Sequence, residues 1–210
     1  RTLCLFELAT VAPYDSDPPG DAVSLIISSG GTNRIIDVDI TPAPVEGIAV
    51  IAVDDANGTW QYTTDNGNTW ANFAPASASA ARLLRADFAN NKVRFLPDGN
   101  FNGTVNPGIT FRAWDKITGS NGTTADVTTN GGTTAFSAAT ETAAITVNPI
   151  NDAPVLNNSG NPSLTAINED DTNFSGDTIE NIITATAGIT DIDAGAIEGI
   201  AIFAVNKATG

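Results

Sequence analysis

Residues 147–155 read VNPINDAPV. Pro149 and Pro154 each lack a backbone N–H, which excludes a helix interior and discourages a central strand. The nine residues therefore read as a short, stiff connector. Between the prolines, Asn151 and Asp152 offer the side-chain oxygens that a hard cation takes. Upstream lies a strand-like run, TAAITV (142–147), and downstream the sequence turns polar and rich in turn formers.

The segment after the connector repeats the segment before it. Residues 45–58, VEGIAVIAVDDANG, align with 197–210, IEGIAIFAVNKATG, so that Gly199 answers Gly47 at an offset of 152. Upstream, Asp37-Val38-Asp39 answers Asp191-Ile192-Asp193 at an offset of 154, and Gly20-Asp21 answers Gly176-Asp177 at 156. Leu8 through Val11 matches Leu164 through Ile167. Small steps in offset are what loop-length changes between copies produce. The expected organisation is a first repeat over 1–150, a linker at 151–154, and the N-terminal part of a second, incomplete repeat over 155–210. The polypeptide is accordingly expected to continue past Gly210.

Composition favours an extracellular all-β chain. Nineteen Gly and 11 Pro stand beside abundant Thr, Asn and Ala, while the usual helix fillers are sparse. Nine basic against 24 acidic residues give a net charge of -15, which argues against a nucleic-acid partner. No apolar run approaches the ~18 residues of a membrane span, so no membrane insertion is expected in this segment. Cys4 is alone and has no partner for an internal disulfide.

In chain order, 1–12 contains an apolar run, and AVSLIISS (22–29) and NRIIDVDI (33–40) read as strands. GIAVIAVD (47–54) is apolar enough to be buried on both faces. TWQYTT (59–64), the turn DNGN (65–68) and TWANF (69–73) form a hairpin, with Asn66-Gly67 suited to positive φ. KVRFLPD (92–98) and ITFRAWD (109–115) are strands separated by a turn-rich GNFNGTVNPG. A loop of about twenty residues precedes TAAITV. One short helix is expected within ASASAARLLRADF (76–88). Short strands with a turn every ten residues or so predict a Greek-key β-sandwich.

NPINDAPVL at the linker, INEDD (167–171), DID (191–193), GTWQYTTDNGNTW, VRFLPDGNFNG (93–103) and FRAWD (111–115) together resemble the cadherin-like tandem repeats of very large secreted or surface-attached bacterial proteins. The resemblance covers the first copy and the visible part of the second. It implies a cadherin/immunoglobulin-like sandwich in tandem, calcium between successive domains, and an extracellular or cell-surface location. It also implies calcium ligation by Asn151, Asp152, Asp191, Asp193, Asp37, Asp39 and Asp115, with Glu169 and Asp98 as weaker members. One departure stands out: where the second copy has Glu169, the first has Pro13, with Asp15 and Asp17 nearby.

Several motifs have a structural reading beside the functional one. An isolated Asp-x-Asp is more often a turn than a ligand; the linker and the repeat register favour calcium here. TTDNGNTW (63–70) fits the Asp-box pattern of sialidase propellers, in which the Asp caps its own hairpin and the Trp packs beneath. Trp60, Trp70 and Trp114 would suit a sugar-stacking platform or a sandwich core, the latter being commoner. The Asn-x-Ser/Thr sites at Asn57, Asn102, Asn121, Asn157 and Asn173 carry no weight in so Asn- and Thr-rich a chain.

With no histidine, the chain has no imidazole base and no Ser-His or Cys-His nucleophile. It reads as no enzyme. The function expected is a calcium-stiffened spacer or adhesive segment whose partners are neighbouring repeats of the same chain. The alternatives are a self-assembling filament subunit completed by strands of another copy, and a carbohydrate-binding module meeting surface glycans.

Overall fold

The computed structural model describes residues 6–8, 10, 16–29, 35, 46–73, 75–184 and 188–206. The chain divides into two compact units, Arg1–Ile150 and Asn151–Gly210.

The first unit carries β1 (Phe6–Glu7), β2 (Asp21–Ala22), α1 (Val23–Ser28), β3 (Gly47–Val53), β4 (Gly58–Thr63) and β5 (Ala71–Asn72). Next in the chain come β6 (Ala81–Arg85), β7 (Lys92–Pro97), β8 (Gly103–Trp114), β9 (Thr124–Ala125) and β10 (Glu141–Val147). Six strands form one sheet in the order β1-β10-β8-β3-β6-β9, and four form another in the order β2-β7-β4-β5. All pairs are antiparallel except β1 with β10. Ile48 and Val50 of β3, Leu84 of β6, and Ile109 and Phe111 of β8 meet Trp60, Val93 and Phe95 of the smaller sheet in one core. The architecture is an all-β sandwich. Each large side chain buried there contributes about 1.5–3 kcal/mol.

Strand alternation sends the other residues of β3 to the opposite face. Ala49 joins Ala81, Leu83, Trp114, Val127 and Phe136 in a second apolar cluster. The long loop after β8 supplies Val127 and Phe136, so it is a packed flap. The Trp114 indole N–H donates to the Thr118 carbonyl (2.7 Å) and the Val127 N–H to the Ala78 carbonyl (2.7 Å). Asn91, wholly buried, exchanges two amide hydrogen bonds with Asn121 of the flap (2.9 and 3.0 Å). The four residues Gly47–Val50 are buried, as a strand covered on both faces requires.

Three expectations are corrected. AVSLIISS forms α1, with Val23, Ile26 and Ile27 buried and Leu25 58% exposed. That spacing is helical, and packing on the sandwich overrides the β-propensity of Ile and Val. ASASAARLLRADF forms β6, whose Leu83 and Leu84 must face opposite apolar layers, which a strand allows. GNFNGTVNPG is only partly turn, because β8 starts at Gly103. Pro107 is tolerated in β8 because pairing with β3 reaches only to Ile109, and the β10 register shifts between Ala143 and Ile145. The expected strand 33–40 lies outside the described residues apart from Ile35.

The hairpin forms as expected. Gln61 pairs with Asn72 and Tyr62 with Ala71, and Asn66 and Gly67 take φ of 67° and 93°.

The second unit holds β11 (Val155–Leu156), α2 (Ile179–Thr184) and β12 (Ile189–Thr190). Gly199–Val205, the sequence counterpart of β3, is not in a strand, and Phe203 is 99% exposed. In the first unit β3 takes its hydrogen bonds from β6 and β8. The elements described in the second unit include no counterpart of either.

Candidate functional site

The second unit gathers its acidic residues through a short antiparallel ladder. Val155 stands opposite Thr190 and Leu156 opposite Ile189. The Asn157 N–H extends the ladder to the Gly188 carbonyl (2.6 Å). Pro154 cannot donate and marks where regular pairing stops. Carried past Pro154, the same register sets Asp152 across from Asp193. There the Asp152 backbone N–H donates to Asp193 Oδ2 (2.8 Å).

Asp193 is itself held by its neighbour. Its N–H donates to Asp191 Oδ1 (2.9 Å), and its carbonyl accepts from the Ala196 N–H (3.2 Å). On the other arm the Asn151 side-chain amide donates to the Asp152 carbonyl (2.7 Å). These bonds engage one carboxylate oxygen each of Asp191 and Asp193. Asp191 Oδ2, Asp193 Oδ1, the Asp152 carboxylate and Asn151 Oδ1 remain as a hard oxygen set, which matches the chemistry calcium requires. Among the described residues, however, no three Asp, Glu or Cys side chains converge into a metal-holding group. The ladder brings four expected ligands to one end of the unit and leaves the three carboxylates among them unclosed.

The other expected ligands are placed separately. Glu169 lies in an exposed turn closed by the Asp171 N–H to the Asn168 carbonyl (3.2 Å). Asp115, at the end of β8, caps its own turn, with Oδ1 accepting from the Ile117 N–H (2.8 Å). Asp98 comes directly after β7, and its N–H donates to the Asn57 carbonyl (2.9 Å). Asp37 and Asp39 lie outside the described residues. Sequence reading singles out Asp98 alone, although it opens the hexapeptide DGNFNG, whose Asp-x-Asn-x-Asn-Gly spacing is itself a cation-loop pattern.

The tryptophans do not make a common platform, because Trp60 and Trp114 are wholly buried and only Trp70 is half-buried. Trp70 packs under the hairpin, where a side chain at Gly67 would touch its ring, and the Arg94 guanidinium stacks 4.1 Å from its centroid. Asp65 caps that hairpin by accepting from the Thr63 and Thr69 hydroxyls (2.6 Å each) and the Thr69 N–H (2.9 Å). These bonds, the Thr63 hydroxyl first, pull its pKa from 3.8 to about 2. Asn121 of the flap donates its side-chain amide to Asn91 Oδ1 (3.0 Å). No described helix is long and apolar enough to cross a membrane. No protein-family model, curated protein or solved structure matches the chain.

Proposed function

We propose that this chain is a structural or adhesive segment of a large extracellular surface protein, built of Greek-key, cadherin-like repeats and stiffened by calcium at the linker. The carrying observation is the Asp152 N–H to Asp193 Oδ2 bond at the end of the β11–β12 ladder. It ties the linker to the Asp-x-Asp segment across 41 residues of sequence, as a junction that must be held in one geometry requires. The internal repeat and the net charge of -15 support the same reading.

Asn151, Asp152, Asp191 and Asp193 would hold the ion. Calcium, when bound, supplies the positive charge and the demand for six to eight oxygens that make neighbouring carboxylates compatible. The chain's own part is to bring linker and Asp-x-Asp together beforehand, through the ladder and two prolines, so that less ordering is left for binding. Without a cation the same carboxylates repel one another. The role is mechanical, and the chain is read as no enzyme.

Calorimetric titration of the full chain tests this. Calcium binding is expected in the wild type, and Asp191→Asn with Asp193→Asn is expected to weaken it at least tenfold. Equal heats from both proteins would reject the linker site.

A second reading rests on the exposed apolar segment of the second unit, where Ile197 is 96% and Phe203 99% exposed. Exposed strand-forming sequence is a template for pairing with another chain, which fits a filament subunit completed by strand exchange. Sedimentation at rising concentration separates the two: a ladder of oligomers supports assembly, and a single slow species supports the spacer.

A further inference from the structure

The loop between β7 and β8 has side-chain oxygens that do nothing for the protein itself. With the first residue of β8 it reads DGNFNG (98–103), and it sets oxygen-bearing side chains at the first, third and fifth positions, with glycine at the sixth. Its backbone is fixed: the Phe101 N–H donates to the Asp98 carbonyl (3.1 Å), and the Phe101 ring packs edge-on against Phe95 (6.5 Å). Asn100 takes φ of 65°, and Gly103 takes 131°, a conformation glycine alone adopts readily.

In such a turn, Asp and Asn side chains ordinarily accept from a backbone N–H two residues on. Asp54, Asp115, Asp126, Asn157 and Asp191 all do so. None of the three in this loop does. Asn100 Oδ1 is fully buried and accepts no hydrogen bond. Asn102 uses only its amide nitrogen, on the Asn100 carbonyl (3.5 Å). A buried carbonyl oxygen without a donor is unfavourable unless something else satisfies it, and the spacing of this loop is one that turns such oxygens toward a single ion.

We propose that Asp98–Gly103 is a calcium site internal to the first unit, with Asp98, Asn100 and Asn102 as its side-chain ligands. This gives Asp98 a local role in place of a share in the linker site. The twelfth position from Asp98 is Ile109, where the helix-loop-helix calcium pattern has a bidentate Glu. The site therefore has one carboxylate and fills its remaining positions with backbone carbonyl and water. So low a charge count places it among weak extracellular modules, with Kd roughly 10⁻⁴–10⁻³ M. Magnesium, which demands rigid octahedral geometry and sheds water reluctantly, fits this loop poorly.

The test is an amide NMR titration of the full chain with calcium chloride to about 10 mM, above the expected Kd range. Saturable movement of the Gly99–Gly103 resonances is expected, with little response to magnesium. Asp98→Asn is expected to weaken that response at least tenfold, and the exposed change Asn102→Ala to weaken it without touching the core. In both variants, any response at Asp152, Asp191 and Asp193 is expected to remain, so the loop and the linker are read separately. Static resonances at Gly99–Gly103, or movement identical in Asp98→Asn, would overturn the proposal.

Discussion

Asp65 shows how much one side chain settles locally. The Thr63 hydroxyl, then the Thr69 hydroxyl and N–H, hold its carboxyl at about 2. A depressed carboxylate pKa gives stability that is present above the unfolded value of 3.8 and lost as pH falls through about 2. Asp65→Asn is therefore expected to lower the melting temperature above pH ~5, with the deficit shrinking between pH ~4 and ~2. Asp87, held down mainly by Arg85, and Asp126 and Asp177, held down mainly by Thr128 and Thr165, titrate low in both proteins and cancel in the comparison. Thermal melts across that range check it; a deficit that stays constant to pH ~2 contradicts the capping account. This hairpin was legible in sequence because its bonds lie within a few residues. Asp115 and Asp191 likewise accept from an N–H two residues on, yet whether either binds an ion depends on groups far away in the chain. Asp115 Oδ1 closes its own turn on the Ile117 N–H.

At the level of elements, sequence reading succeeded where the apolar pattern was continuous and failed where two layers competed for it. Gly47–Val53 was legible as a doubly covered strand; what covers its second face was not, since Val127 and Phe136 sit in a loop with no strand periodicity. Phe136→Ala is expected to destabilise the first unit by about 3–5 kcal/mol, as a large core truncation does. Denaturant unfolding measures it, and a loss under ~0.5 kcal/mol, the range of ordinary surface changes, would mean the flap is not packed. AVSLIISS (22–29) reads as a strand from its apolar, β-branched run, and only packing reveals the helical face of Val23–Ser28. Leu25→Asp is expected to be tolerated within about 0.5 kcal/mol, while Ile26→Asp, which buries a lone charge, prevents stable folding. A strand would bury 23, 25 and 27 together and make Leu25→Asp the damaging change.

Across the whole molecule, acidity and exposed apolar surface oppose each other. The net charge of -15 keeps copies apart, while Ile197, Ile202, Phe203 and Val205 of the second unit stand exposed. Salt screens the repulsion but not the apolar attraction, so self-association is expected to rise from low to high ionic strength, and Phe203→Ser to suppress it. Light scattering checks this, and salt-independent monodispersity would contradict it. The sequence likeness of Gly199–Val205 to β3 is legible without a structure; the structural state of Gly199–Val205 is not, because a strand is defined by neighbours. Small-angle scattering of the full chain with calcium and with chelator, beside Asp191→Asn with Asp193→Asn, shows whether calcium stiffens the linker. A narrower distance distribution in calcium is expected for the wild type, lost with chelator and absent from the double variant. Identical curves for the wild type in calcium and chelator would contradict it.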